Sequence, residues 1–240
     1  MTADPEQNLR DSLEGLAGVL TGDEPLAATL ARITAFAVCA IPGADGAGVM
    51  LLERHGRDTR VAGDELVAAV DAVQYGLGEG PGLLAVESRT TQRSGSLGGE
   101  SRWPRFGPRA GRLGVHSVLS LPLLITDRAV GVLNVYGRPH EAFDDRSVTV
   151  GERFARPAAV TASHALLLEE SRRVAAQLQE ALVSRAVIDQ AIGIVISRTG
   201  KNAEEAFAEI RDRSQRDHVK LSEVAARIVD RVRARYQRTQ

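Results

Sequence analysis

The residues best suited to chemistry in this chain are cations gathered near its end. Arg198 and Lys201 flank a Thr-Gly break, Arg211, Arg213 and Arg216 follow at helical spacing, and Lys220 opens the next periodic segment. Guanidinium and ammonium groups placed this way neutralise phosphates and donate to the edges of looped-out bases. Ser214 either joins such a contact or caps the chain locally, and Arg211 either meets a phosphate or pairs with a nearby carboxylate. Aromatic residues are scarce here. Phe207 falls on an apolar stripe, which leaves Tyr236, so base stacking is not expected and recognition would rest on Arg, Lys, Gln and Ser hydrogen bonds. Taken alone, a run such as Arg231-Val232-Arg233-Ala234-Arg235 reads as a solvated helix face.

Other chemistries find little support. Gly80-Pro81-Gly82-Leu83-Leu84-Ala85 formally matches a dinucleotide fingerprint. It follows a helical stretch, however, and Pro81 removes a backbone donor where phosphate would sit, so a structural turn is expected. His55, His116, His140, His164 and His218 show no metal-ligand spacing, and there is no nucleophile elbow or lysine-bearing phosphate loop. His140-Glu141 and Asp144-Asp145 sit at a strand-to-helix junction, where acidic residues suit a helix N-terminus. A single cysteine, Cys39, excludes an internal disulfide and a Cys-cluster zinc site, and reads as a small buried hydrophobe. No catalytic residue and no metal site are expected, and the chain does not read as an enzyme.

The elements that must position the cations follow from periodicity. The 240 residues are 43% hydrophobic and 25% charged, enough for a core and natural for two domains. Net charge is −1, but residues 180–240 carry 12 Lys/Arg against 9 Asp/Glu while residues 1–179 carry 18 against 22. So small an excess requires local clustering for any attraction to nucleic acid. Residues 6–21 read as an amphipathic helix through Leu9, Leu13, Leu16 and Leu20, and a second helix runs from Pro25 to about Ile41. Ala47–Glu53 reads as a strand, His55-Gly56 as a turn and Asp58–Ala62 as a weaker partner strand. Asp64 caps a helix to Tyr75, a Gly-rich turn spans Gly76–Gly82, and a short helix reaches Ser88. Thr90–Arg93 is a candidate strand, and Leu97–Arg112 an irregular lid with Trp103 and Phe106. The clearest strands are His116–Ile125 and Ala129–Gly137. Helical pattern then runs from Asp145 to Ser197, interrupted only by Pro157. Within it Leu167, Ser171, Val174, Leu178, Ala181, Arg185 and Ile188 step by four and three, the spacing of a coiled-coil seam that either pairs two chains or packs within one. Asn202 with Glu205 reads as a capping box, Ala206, Phe207 and Ile210 as a buried stripe, and Leu221, Val224, Ala225, Ile228, Val229 and Val232 as an inward face. This is an α+β domain with an antiparallel sheet flanked by helices, a long linking helix, and an all-α three-helix bundle. If the bundle packs so, the turn-proximal cations converge at one of its ends.

Two families are met here. Ser184-Arg185, Ile188, Gln190-Ala191, Gly193-Ile194-Val195, then Glu205-Ala206-Phe207, Ile210-Arg211, Ser214-Gln215, then Lys220-Leu221 and Val224-Ala225 resemble the ANTAR domain of AmiR/NasR antitermination regulators. The chain departs at Ile192, where many members carry Lys and one phosphate contact is lost. The preceding region is similar to a GAF sensory domain through Gln74-Tyr75, Gly78-Glu79-Gly80-Pro81, Arg102-Trp103-Pro104, Phe106, Gly114-Val115, Ser117–Leu123, Gly131–Tyr136 and Ala142-Phe143. Members often carry Cys after the Gly-Pro, where this chain has Gly82, so a thiol sensor there is ruled out, and a multi-cysteine sulfoxide reductase is not expected of a chain with only Cys39.

The resemblance implies a GAF-like domain at 1–165, a linking helix at 166–183 and an ANTAR RNA-binding bundle at 184–240. Its implied function is cytoplasmic transcription antitermination, in which a homodimer binds paired hairpins of leader RNA through Arg198, Lys201, Arg211, Ser214, Arg216 and Lys220. Ala191, Gly193 and Ala206 are expected to allow close helix packing. No cofactor is known for such a protein. An unidentified small molecule or a protein partner would give the signal at the GAF domain, with Tyr75, Trp103 and Asn134 as ligand contacts, Trp103 serving otherwise as a core plug. No membrane contact is expected. The alternative is a dimeric signalling scaffold that binds a protein partner or small ligand through its GAF domain without touching RNA.

Overall fold

A computed structural model describes residues 4–20, 24–52 and 59–237. The expected turn at His55-Gly56 lies outside them. The chain forms two compact units, Met1–Glu169 and Glu170–Gln240.

The first unit is built on five antiparallel strands: β1 (Gly46–Leu51), β2 (Thr59–Ala62), β3 (Gln92–Ser94), β4 (Ser117–Ile125) and β5 (Arg128–Gly137), in the order β2-β1-β5-β4-β3. The two-residue alternation of a strand assigns each side chain to a face. Ala47, Val49 and Leu51 of β1, Leu119, Leu121 and Leu123 of β4, and Leu133 and Val135 of β5 enter one core. It is closed by α1 (Pro5–Leu20), α2 (Leu26–Ala40) and the start of α6 (Asp145–Thr199), through Leu9, Leu16, Leu30, Ile33, Phe154, Ala158 and Ala162. The opposite face is covered by α3 (Glu65–Leu77), α4 (Pro81–Ser88) and α5 (Gly107–Arg112), which explains why all of β1 is buried. Asp64 caps α3 by accepting from the Val67 N–H at 2.8 Å, a contact worth about 1 kcal/mol in helices generally.

Four details differ from the periodicity reading. The helix α3 runs through Gly76 to Leu77 and ends at left-handed Gly78, while Pro81 opens α4, so the Gly-rich turn is shorter than expected. The expected irregular lid contains a short 3₁₀ turn and α5, and it buries Trp103 and Phe106 against Val118 and Tyr136. Pro157 does not interrupt α6, which is 55 residues long. Its ring removes only the N–H that would have bonded the Arg153 carbonyl. Cys39 is exposed. Ala37, Ala40 and Ile41 take the inward positions, and at 100° per residue Cys39 turns away from them.

The second unit packs the end of α6 with α7 (Ala203–Asp217) and α8 (Leu221–Gln237). Its core is Ala191, Val195, Ala206, Ile210, Val224, Ala225 and Val229, with Ile188 and Ile192 beside it. Left-handed Gly200 ends α6, and left-handed His218 ends α7. Asn202 and Glu205 form the capping box, the Asn side chain accepting from Glu205 N–H and the Glu side chain accepting from Asn202 N–H. Two expected packing residues are placed otherwise. A Cβ on Gly193 would meet nothing, so close packing is not its reason, and Phe207 is 37% exposed because Ala206 and Ile210 already fill the inward stripe.

Candidate functional site

Sheet register gathers a buried polar group between the sheet and α3. Gly48 of β1, Asn134 of β5 and Ser120 of β4 lie side by side across three strands, the Asn134 and Ser120 side chains and the open face of Gly48 turned to α3. Ser120 Oγ donates to Asn134 Oδ1 at 2.7 Å, and Asn134 Nδ2 donates to Asp71 Oδ1 at 3.1 Å and to Tyr75 Oη at 3.2 Å. Tyr136 Oη donates to the same Asp71 oxygen at 2.5 Å. Next to them Gln74 Oε1 accepts from Gly82 N–H at 2.8 Å. Glycine makes the room. A Cβ on Gly48 would stand 2.4 Å from Asp71 Oδ2, and one on Gly82 would stand 2.5 Å from Asn134 Oδ1. Gly82 therefore packs directly against a buried polar partner, where any side chain would force Asn134 to shift.

Burial pushes the Asp71 carboxyl up to about 6, against the Tyr136 and Asn134 hydrogen bonds and the Arg60 charge, which pull it down. Burial and the neighbouring Asp71 push the Tyr136 phenol well above its ordinary range, so Tyr136 stays a donor. The Arg60 guanidinium lies over the Tyr75 ring, 4.3 Å from its centre. Of the three expected ligand contacts, Tyr75 and Asn134 are thus joined by a hydrogen bond. Trp103 instead packs in the neighbouring apolar cluster, with the Arg102 guanidinium 4.4 Å from its ring centre. Asp71, Tyr136 and Ser120 were not among the expected site residues. A visible signal existed for Asp71, the only charge in the run Leu66–Leu77 and one helical turn from both Val67 and Tyr75.

The cations of the second unit are exposed but do not converge at one end. Arg198 closes α6 and Lys201 lies in the α6–α7 break, whereas Arg216 and Lys220 stand at the α7–α8 break. The 15 residues of α7 separate these breaks by about 20 Å. The Lys201 Nζ donates to Glu209 Oε2 at 2.6 Å, and that carboxylate raises the ammonium's affinity for its proton. Arg211 approaches Asp212 at 3.8 Å, and Arg216 Nε donates to the Asp212 carbonyl at 3.4 Å. The Ser214 hydroxyl donates to the Val219 carbonyl at 2.6 Å, closing the α7–α8 turn. Two features were missed. Arg213, Arg227 and Arg231 ring a small depression between α7 and α8, and exposed Phe207 stands one turn before Arg211 on the same side of α7. The first was foreshadowed by the i, i+4 spacing of Arg227 and Arg231. The second was hidden because Phe207 stands in sequence between the inward residues Ala206 and Ile210.

The ANTAR domain family matches residues 176–229, and the GAF domain family matches residues 23–161. The chain belongs to the GAF family and carries an ANTAR domain after it; both are regulatory rather than catalytic modules. Among solved structures it is similar to the GAF domain of a phosphoenolpyruvate-protein phosphotransferase from Coxiella burnetii, with 17% identity, TM-score 0.52, and coverage of 67% of this chain and 96% of that one. The GAF domain of the Acinetobacter phosphoenolpyruvate-protein phosphotransferase gives 15% identity and TM-score 0.50 over 70% of this chain and 97% of that one. Free methionine-R-sulfoxide reductase from Neisseria meningitidis, in complex with its substrate, gives 16% and 0.50 over 70% and 96%. At these identities the likeness is one of fold. No curated protein matches the chain. No helix among the described residues is long and apolar enough to cross a membrane.

Proposed function

We propose that this protein is a cytoplasmic transcription antitermination regulator whose ANTAR domain binds hairpins in nascent leader RNA under the control of its GAF domain. The observation that carries this reading is the ANTAR match over 176–229, falling on a helical bundle whose exposed cations run along α7. We assign 1–165 to sensing, 166–183 to the link and 184–240 to RNA. Arg198 and Lys201 at one end of α7, and Arg211, Arg216 and Lys220 towards the other, would meet separate phosphates. Ser214 keeps its oxygen as an acceptor. Phe207 beside Arg211 offers a base a ring to stack on. Protein at about 100 times its Kd would stabilise the bound RNA fold by about 2.7 kcal/mol, enough to invert a near-balanced pair of hairpins.

The reading includes a homodimer, supported by the exposed apolar residues Leu167, Val174, Leu178, Leu182 and Val183 along α6. Two bundles on linked hairpins gain from effective concentration. Buried Asp71, Asn134 and Tyr136, with half-buried Tyr75, form the proposed sensory core, biased by a small molecule or a docked protein that prefers one arrangement.

Fluorescence anisotropy on a tandem-hairpin RNA at several salt concentrations tests the surface. Arg211→Ala with Arg216→Ala should weaken binding at least about tenfold and flatten the salt dependence by about one unit per lost contact. Phe207→Ala should weaken it by about 1–3 kcal/mol with the salt dependence unchanged. Unchanged affinity in the folded double variant refutes the assignment.

A further inference from the structure

A second site lies at the β4 edge of the GAF sheet, lined by none of the residues of the polar core. Along its outer edge β4 pairs with β3 only over Val118–Ser120, so the stretch Leu121–Ile125 has no strand partner there. A groove of about 600 Å³ follows this stretch, within the range of small-molecule sites. Leu121, Pro122 and Leu124 line it from β4, Arg89, Thr90 and Thr91 from the turn after α4, and Glu152, Ala155 and Arg156 from α6. The last three share one helix face by their spacing.

The chemistry of the lining is specific. Arg89 gives one N–H to the Asp127 carbonyl at 3.1 Å, which leaves the rest of its five-donor fork for a ligand. Among the described residues Arg156 has no hydrogen-bond or ion-pair partner. The Glu152 carboxylate accepts from Thr91 Oγ1 at 2.7 Å. Two guanidinium groups against one carboxylate leave a net charge of +1, which a monoanion neutralises and a dianion would exceed by one uncompensated charge. Pro122, within the unpaired stretch, has no N–H and so opposes an added β-strand.

We propose that this groove binds a small organic monocarboxylate, its apolar body on Leu121, Pro122, Leu124 and Ala155 and its carboxylate between Arg89 and Arg156. Such a ligand ties α6 to the sheet edge beside Pro157, where the helix lacks one of its hydrogen bonds, and the same helix runs unbroken to Thr199 inside the ANTAR match. The binding itself does not depend on the RNA reading. It also places an input away from the Asp71 group.

Isothermal titration of the full chain with octanoate and with phenylacetate decides the matter. The site predicts saturable binding of at least one probe, weakened at least about tenfold in Arg156→Glu and in Arg89→Glu, retained in part by Arg156→Lys, and unaffected by Asp71→Asn. Both arginines are exposed, so the charge reversals leave the core intact. Absence of saturable binding of either probe into the millimolar range overturns the proposal. So does binding that ignores both reversals, or that is lost in Asp71→Asn alone.

Discussion

Asp71 carries the clearest energetic consequence of any single residue. A carboxyl held at about 6 in the folded chain and near 3.8 when unfolded means that folding takes up a proton between those values. Its contribution to stability is therefore fullest below about pH 4, falls as pH rises towards 6, and is flat above. Asp71→Asn removes this dependence while keeping an oxygen to accept from Tyr136 and Asn134. Relative to the parent chain, the variant should gain about 2 kcal/mol on going from pH 4 to pH 7.5, read by urea unfolding on the fluorescence of Trp103, the sole tryptophan. An equal stability difference at both pH values would show that Asp71 is not held up by burial. The residues themselves were only partly legible in the sequence. Tyr75 and Asn134 stood out by resemblance. Asp71 was marked by its lone charge on an apolar helix, but its meeting with Ser120 and Asn134 depends on strand register and helix phase, which no local pattern encodes.

At the scale of elements, α6 does two jobs with one continuous pattern. Up to Ala165 its small residues fill the GAF core, and from Ile188 onward it fills the bundle core. Between these, Leu167, Val174, Leu178, Leu182 and Val183 are more than half exposed. Val174→Asp with Leu178→Asp should convert a dimer to a monomer in sedimentation equilibrium while leaving helical circular dichroism unchanged, since neither side chain supports a core in its own chain. A parent chain that sediments as a monomer would remove the seam from the account. Elements whose side chains alternate or recur strongly were legible close to their ends: β4, β5, α1, α7 and α8. The short α5 was not, because Gly107-Pro108-Arg109 offers no apolar period and its helix is held by packing of Phe106 and Ala110. Pro157 read as a break because the sequence does not reveal that the turns on either side are locked by buried Phe154, Ala158 and Ala162.

For the whole molecule, the net charge of −1 says nothing of where attraction acts. The 12 cations of residues 180–240 matter because α7 distributes several of them over about 20 Å of exposed helix. Sequence periodicity expected them at one end; the length of one helix sets them at two. That spacing favours a ligand with charges in series, such as a nucleic-acid strand, over a compact anion. The GAF and ANTAR modules were legible because their motifs are local and well spaced, while the groove beside β4 depends on which strand edge is left unpaired. Crosslinking the intact protein to cellular RNA, followed by sequencing of what is recovered, tests the central claim most directly. Enrichment of tandem hairpins that overlap transcription terminators is expected, and loss of that enrichment in the Arg211→Ala, Arg216→Ala variant. Recovery of the folded parent protein with no RNA above background, or with RNA lacking hairpins, would contradict it.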